Sequence, residues 1–513
     1  MFYVRNSNSC DMMCRMKPIT IAVPFFHGPL FEKMLRFFVD SGLVEDVIVV
    51  GLEGPSFNVP RCRVLASGPI TSQHTLRRIL DSVKSDYLLL STLPQVISIE
   101  PHVLDKVLET AEKTKAGITY CDFYDEEHDG NVPHPLNDYQ KGSIRDNFDF
   151  GALMLFSLSA VRAAIEKYGN TPAVRYAGIY DLRLKVSIDH TILHLGEYLY
   201  SLSAAEDDSG NEKIFAYVDP KQAEVQKEME TVFTDHLKRI DAYLAPDTVR
   251  DVPRLQTKDS IPVEASVVIP VRNRKDTVAD AIKSALSQDT DFSFNVIVVN
   301  NYSTDGTTAL LSDLAKKHDK LKHLVPFRTD LGIGGCWNEA LLSDNCGRYA
   351  VQLDSDDLYA SSSTLQRIVD MLRQGHYAMM IGSYTIVNFD LEEVPPGLID
   401  HREWTDENGR NNALRINGLG APRAFHTNIM RDIQFLNVSY GEDYAAGLRI
   451  CREYRIGRIY ESLYLCRRWP GNTDAALSLE TKNRNDAFKD RVRTDEIIAR
   501  QQLNRGRGGS VNR

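Results

Sequence analysis

Tyr349-Ala350-Val351-Gln352-Leu353-Asp354-Ser355-Asp356-Asp357-Leu358-Tyr359 sets three carboxylates directly behind an apolar run. A strand that ends in clustered acids is a place to hold a cation. Oxygen-only sites suit hard divalent ions such as Mg²⁺ or Mn²⁺, which keep waters and take their remaining ligands from a substrate phosphate. The plain alternative is a solvated acidic turn, and the surrounding chain has to decide between the two.

Upstream, Ser266-Val267-Val268-Ile269-Pro270-Val271 reads as a strand closed by proline, residues 276–287 as a helix and 294–299 as a second strand. Helices at 307–318 and 336–342 precede the strand at 348–353 that delivers the acids. The alternation predicts a largely parallel sheet covered by helices. The first half has the same rhythm: strand at 20–26, helix at 31–39, strand at 46–51, helix at 75–83, strand at 87–90, and further α/β pattern through 118–120, 152–168 and 182–200. Between the halves, residues 204–212 are a polar break and 219–244 a long exposed helix. Residues 245–263, with Pro246, Pro253 and Pro262, read as a linker. The expected architecture is α/β, two tandem Rossmann-like domains joined by a helical linker. Its parts are a disordered 1–15, a domain at 16–205, the linker at 206–263, a second domain at 264–480 and a tail at 481–513.

The halves also repeat residue by residue. At one constant offset Tyr180 pairs with Tyr444, Leu184 with Leu448, Ile192 with Ile456, Glu197 with Glu461, Leu199 with Leu463 and Tyr200 with Tyr464. Pro24 answers Pro270, and Tyr87 answers Tyr349. What the copies do not share is informative. Opposite Asp354-Ser355-Asp356 stands Thr92-Leu93-Pro94, and opposite Glu442-Asp443 stands Gly178-Ile179. The joint loss of both acidic groups fits a working half and a non-working half better than two decorative turns.

Composition narrows the class. At 513 residues, 43% hydrophobic and 25% charged, the chain reads as a soluble globular protein of several domains. A net charge of −10 argues against a dedicated nucleic-acid binder. No apolar run approaches the ~18 residues needed to cross a bilayer. Eight cysteines without a CxxC pair indicate neither a zinc site nor a disulfide scaffold, so a reducing, cytoplasmic setting is expected.

If a metal and a phosphate meet at Asp354 and Asp356, a base and cationic partners complete the site. Gly441-Glu442-Asp443-Tyr444 offers adjacent carboxylates at a helix start, able to deprotonate a hydroxyl; charge decoration of a first turn is the alternative. Arg467-Arg468-Trp469 supplies two guanidiniums for a diphosphate and an indole for a ring, against a basic loop with a packing aromatic. Arg423 and His426 fall in a Gly-rich stretch, 418–426, read as a loop that closes over substrate, with His426 a structural or contact residue rather than the base. Asp330-Leu331-Gly332-Ile333-Gly334-Gly335 lets backbone amides approach a ligand. Its glycine order is wrong for a dinucleotide fingerprint, which sets an oxidoreductase aside.

The ordered segments "SVVIPVRNRKDTVADAIKSALSQ", "VIVVNNYSTDGT", "DLGIGGCWNEAL", "YAVQLDSDDLY" and "YGEDYAAGLR" resemble the family-2 glycosyltransferases, over roughly residues 264–475. The resemblance implies a GT-A fold and inverting, Mg²⁺- or Mn²⁺-dependent transfer of a sugar from a nucleotide diphosphate. Asp354 and Asp356 match the family's DxD, with Asp356 the direct metal ligand, and Asp443 matches its general base, next to Glu442. Pro270, Val271 and Arg272 lie where the nucleotide packs. Asn300-Asn301, followed by Tyr302, stands where the family commonly has two aspartates and a glycine, so the nucleobase stays open. Leu465 breaks the QxxRW pattern of processive synthases.

Through residues 18–200 the first half resembles the same fold more faintly, as a degenerate GT-A-like domain. The expected partners are a nucleotide-diphosphate sugar, a glycan or other hydroxyl acceptor, and a second copy of the chain as a dimer partner. Nucleic acid and a transmembrane segment are excluded. A two-site glycan polymerase and a non-catalytic nucleotide-sugar or glycan-binding protein are the competing readings. The tail, helical over 481–502 and ending in Arg505-Gly506-Arg507-Gly508-Gly509, reads as a solvated helix with a frayed end rather than a membrane contact.

Overall fold

A computed structural model describes residues 17–28, 30–51, 57–203, 223–252, 261–402, 404–469, 471–472 and 477–508. The expected disorder at 1–15, the break at 204–212 and most of the proline-rich linker lie outside these residues. The chain forms two compact units. The first holds the described residues up to Tyr139 and those of 149–203; the second holds Gln140–Phe148 and all described residues from Ala223 onward.

The first unit begins β1 (Ile19–Pro24), α1 (Phe31–Asp40), β2 (Val44–Gly51), β3 (Cys62–Ala66), α2 (Gln73–Ser82) and β4 (Tyr87–Ser91). It continues β5 (Ile97–Ile99), α3 (Pro101–Thr114), β6 (Ile118–Glu127), β7 (Gly130–His134) and β8 (Leu153–Ser157). It closes with α4 (Leu158–Tyr168), α5 (Gly178–Asp189) and β9 (Ile192–Ser203).

The second unit contains α6 (Ala223–Arg239), β10 (Ala265–Val271), α7 (Val278–Leu286), β11 (Phe294–Asn300), α8 (Thr307–Lys317) and β12 (Leu321–Leu324). Next come α9 (Ile333–Leu342), β13 (Tyr349–Gln352), β14 (Leu358–Tyr359), α10 (Thr364–Arg373), β15 (Tyr377–Val387) and β16 (Glu393–Ile399). Last are α11 (Gly409–Asn412), β17 (Arg423–His426), α12 (Thr427–Ile433), α13 (Glu442–Glu453), β18 (Arg455–Arg467) and α14 (Leu479–Gly508).

Among the described residues each unit has one mixed sheet of nine strands, and the two orders correspond strand for strand. The first is β3-β2-β1-β4-β8-β6-β9-β5 with β7 on β6; the second is β12-β11-β10-β13-β17-β15-β18-β14 with β16 on β15. Registers agree as well. Ile19 faces Tyr87 and Ala265 faces Tyr349, which makes Pro24 equivalent to Pro270 and Tyr87 to Tyr349. Helices α5 and α13 are both 12 residues long and start at the paired positions Gly178 and Glu442.

The central strands β10 and β11 are parallel and buried on both faces, which is why they read as continuous Val/Ile runs instead of alternating. Each fully buried Val or Ile contributes ~1.5–3 kcal/mol. Ala281, Ile282 and Ala285 of α7 and Leu365, Ile368 and Leu372 of α10 close over the same core. The apolar centre thereby fixes the C-terminal ends of β10, β11 and β13 at one edge.

Three expectations change here. Residues 423–426 are not a loop: they form β17, antiparallel between β13 and β15, with Val351 opposite Ala424 and Ile381 opposite Arg423. The glycines and Pro422 belong to the approach, and four residues are too short a stretch to show a period. The helix expected to be exposed between the halves, α6, buries Val232, Phe233, His236 and Leu237 in the second unit. The tail helix α14 is not solvated. Asp490, Arg493 and Arg500 are fully buried on it, and Arg493 donates to Leu414 O, Ile416 O, Asn417 Oδ1 and Tyr444 Oη. It has no apolar stripe because its inner face is built from bonded ions.

Candidate active site

The acids begin where the β10–β13 ladder ends, at Val268 opposite Gln352, the edge at which open parallel sheets take ligands. Gln352 is the hub of this corner. Its Nε2 lies 3.1 Å from both carboxylate oxygens of Asp354, and its Oε1 accepts the Arg423 backbone N–H at 3.1 Å. The Asp354 N–H donates to Tyr464 Oη at 2.9 Å. Asp356 Oδ2 accepts from Trp469 Nε1 at 3.2 Å and from Asn472 Nδ2 at 3.3 Å, with Arg274 Nε at 3.9 Å. Asp357 Oδ1 accepts the Arg467 N–H at 2.8 Å, which pins the acidic turn to the end of β18.

Burial pushes the Asp354 carboxyl up, against the pull of Arg423. It pushes Asp357 up further, where the charges of Asp354 and Asp356 add to it. Carboxylates crowded in this way favour a divalent cation, and Asp356 Oδ1 receives none of the bonds above. The donor set of Asp354 and Asp356 therefore fits a hard ion whose other ligands are water and phosphate. Among the described residues no group of three His, Cys, Asp or Glu forms a closed metal cage.

Arg423 reaches from β17 to the start of α13, where its Nη1 is ion-paired with Asp443 Oδ2. Burial raises the Asp443 carboxyl, but Arg423 and then Lys489 outweigh it and hold it below its usual range. Glu442 is the opposite case: burial, then the charge of Asp443, pushes it to about 8. Its Oε2 is buried without a hydrogen-bond partner. The two adjacent acids are thus split into one ionised and one protonated at neutral pH.

The remaining expected residues fall into three groups. Pro270, Val271 and Arg272 close β10 beside Asn300 and Asn301, whose N–H donates to Val271 O at 2.8 Å. Asn300 is held within its own turn, with Nδ2 on Thr308 Oγ1 at 2.9 Å and Oδ1 accepting the Ser303 N–H. Asn301 Nδ2 donates to Leu331 O at 2.8 Å. Arg467 is buried, with Nη1 3.1 Å from Asp280 and its guanidinium over Phe389; its Nη2 has no hydrogen-bond partner. The Arg468 backbone donates to Val387 O. Asp330 is exposed and closes on Arg328 at 2.7 Å. His426 is buried edge-on to Tyr349, and burial lowers it to about 4, which keeps it neutral and structural.

Sequence reasoning missed Gln352, Tyr464, Arg274 and Asn472. Arg274 sits in the basic run Arg272–Lys275 past the end of β10, and Asn472 three residues past the tryptophan; only the folded chain brings either to Asp356.

Residues 266–432 match the model of glycosyl transferase family 2. The match takes in about a third of the 513-residue chain. An uncharacterized glycosyltransferase of Haemophilus influenzae is 24% identical over 197 residues, 37% of this chain and 54% of that protein. A GalNAc(5)-diNAcBac-PP-undecaprenol beta-1,3-glucosyltransferase of Campylobacter jejuni is 30% identical over 121 residues, 24% of this chain and 38% of that one. The match thus spans about half or less of these curated relatives. Among solved structures, residues 1–349 of S. aureus TarS in complex with UDP-GlcNAc align at 22% identity and a TM-score of 0.36, covering 46% of this chain and 72% of that one. The matched stretch holds the acids Asp354 and Asp356 and Arg423, while Asp443 follows just beyond its end. No helix among the described residues is long and apolar enough to cross a membrane.

Proposed function

We propose that the second unit is an inverting, metal-dependent glycosyltransferase that moves a sugar from a nucleotide-diphosphate donor to a hydroxyl acceptor. The observation that carries this reading is the meeting of two acidic groups through one arginine. Arg423 is paired with Asp443 and is drawn by Asp354 as well, so the candidate metal ligands and the candidate base share one corner. Asp354 and Asp356 would hold Mg²⁺ or Mn²⁺, which supplies charge stabilisation for a departing diphosphate. Asp443 accepts the proton of the acceptor hydroxyl as that oxygen attacks the anomeric carbon from the face opposite the leaving group. Arg423 covers Asp443 until the donor's negative charge draws the guanidinium away. Pro270, Val271, Asn300 and Asn301 form the wall for the nucleoside, and Trp469 stands beside Asp356 for a ring.

The first unit, with Thr92-Leu93-Pro94 and Gly178-Ile179 at the equivalent positions, serves as a non-catalytic partner domain in this reading. The test is a panel of UDP-, GDP- and dTDP-sugars with and without Mn²⁺. Donor hydrolysis or transfer that requires the ion and disappears in Asp356→Ala is expected; turnover at full rate in that variant would sink the assignment.

A further inference from the structure

Helix α14 lies beyond the residues that match the family-2 model, yet it packs on the helix that carries Asp443. At Gly441, the cap of α13 with φ 76°, an added Cβ would come within 3.2 Å of Phe488 and 3.6 Å of Lys489 Cγ. Lys489 is buried. Its ammonium donates to Asn417 O at 2.6 Å and lies 4.4 and 5.6 Å from the ring centroids of Tyr440 and Tyr444. These partners are uncharged, and among the described residues no carboxylate forms an ion pair with it. A buried ammonium is costly unless nearby negative charge compensates it. One turn on, Arg493 bonds Leu414 O, Ile416 O and Asn417 Oδ1 on the segment leading to Arg423, and Tyr444 Oη on α13. A single helix therefore ties the approach to Arg423 to the start of α13.

We propose that Lys489 is a positioning residue for Asp443, holding the start of α13 in place and compensating the carboxylate when Arg423 turns to the donor's diphosphate. The inference rests on the reading of Asp443 as acceptor base. Four groups surround that carboxyl in charge terms: Arg423 from β17, Glu442 from its own helix, Lys489 from α14, and Asp354 acting on the shared arginine. Arg423 and Lys489 both lower Asp443.

The decisive measurement needs no activity. In the full-length protein, Asp443→Cys puts a thiol where the carboxylate stands, on a side chain that is 25% exposed. Its alkylation by iodoacetamide is followed against pH by mass spectrometry of that peptide. A neighbouring cation lowers a thiol's pKa. Adding Lys489→Met should raise the midpoint by about half a unit or more, a roughly threefold loss of thiolate near the midpoint, and Lys489→Arg should restore it. Equal midpoints in all three backgrounds overturn the proposal. If the methionine variant does not fold, Lys489→Gln keeps a donor for Asn417 O and takes its place. With Asp443 intact, Lys489→Met should lower kcat and leave the donor KM unchanged. A wild-type protein that transfers no sugar would refute the functional reading, while the thiol comparison still decides the role of Lys489.

Discussion

The two units share a frame and differ at one corner of it. Strand order, register and the helix leading into the last long strand correspond throughout. Glu442 begins that helix in the second unit and Gly178 begins it in the first. A Cβ at Gly178 would lie 2.5 Å from Thr71 O and 2.9 Å from Leu76 Cδ1, so the space that Glu442 occupies is closed by backbone in the first unit. At β4 the acids are replaced by Thr92-Leu93-Pro94. Loss of charge and loss of room coincide, which is why the difference reads as a change of role and not as drift on a surface.

The largest effect expected is on turnover. Asp443→Asn removes the proposed general base and should lower kcat by about 10²- to 10⁴-fold, with donor binding kept in a thermal-shift assay. Thr92→Ala, at the position equivalent to Asp354, should leave turnover unchanged. A comparable loss in both variants would mean that the first unit also takes part in the chemistry.

Stability separates a buried ion from an exposed one. Arg493 is fully buried, and Arg493→Met abandons its ion pair with buried Asp490 and bonds to three carbonyl-type acceptors and Tyr444. It should lower the stability of the second unit by about 3–5 kcal/mol in denaturant unfolding. Arg77, in the first unit, forms an i,i+4 pair with side chains 66% and 72% exposed; its replacement by Met should change stability by less than about 0.5 kcal/mol. Equal effects would show that α14 is not integral to the second unit.

The parallel core and the repeat were legible because both rest on apolar period and register: Pro24 and Pro270, or Tyr180 and Tyr444, can be matched without coordinates. The acid cluster was legible because it follows a strand. Elements whose interiors are polar were not. Arg493, Asp490 and Arg500 look solvated on a charged helix, and only their bonding partners, 90 residues away for Arg500 and 347 for Asp490, reveal the burial. Arg423 had the same difficulty: its strand is four residues long, and its partner Asp443 lies 20 residues downstream.

Glycine substitution tests how tightly the site loop is held. A Cβ at Gly334 would fall 1.9 Å from Leu436 O and 3.0 Å from Glu442 Cβ. Gly334→Ala should therefore cost about 1–3 kcal/mol and lower turnover by displacing the segment before Glu442. Gly42 in the first unit has nothing within 4 Å, and Gly42→Ala should be neutral within about 0.5 kcal/mol. A tolerated alanine at Gly334 would show that residues 436–441 shift without harm to the acids.

The smallest effect carries opposite signs in the two units. His426 is lowered by burial to about 4 from an ordinary 6.5. The unfolded chain therefore binds the proton more readily. The stability tied to neutral His426 is complete above pH ~6.5 and is lost as the pH falls toward 4, about 1 kcal/mol of it by pH 5.5. His134 in the first unit is raised overall: burial lowers it, but hydrogen bonds to Asp149 and Asp125 prevail, the latter with Nδ1 2.6 Å from Oδ2. Its contribution is complete below the unfolded value of 6.5 and is lost as the pH rises through the folded one. On acidification from pH 7 to 5.5 the two histidines thus act in opposite directions, His426 weakening the second unit and His134 supporting the first. Because Glu442, pushed up to about 8, works in the opposite direction to His426 over the same window, the variants isolate the histidines: His426→Gln should remove the acid loss that His426 contributes to the second unit, and His134→Gln should steepen the acid loss of the first. Parallel slopes in wild type and both variants would remove the histidines from the account and leave the units alike in their response to pH.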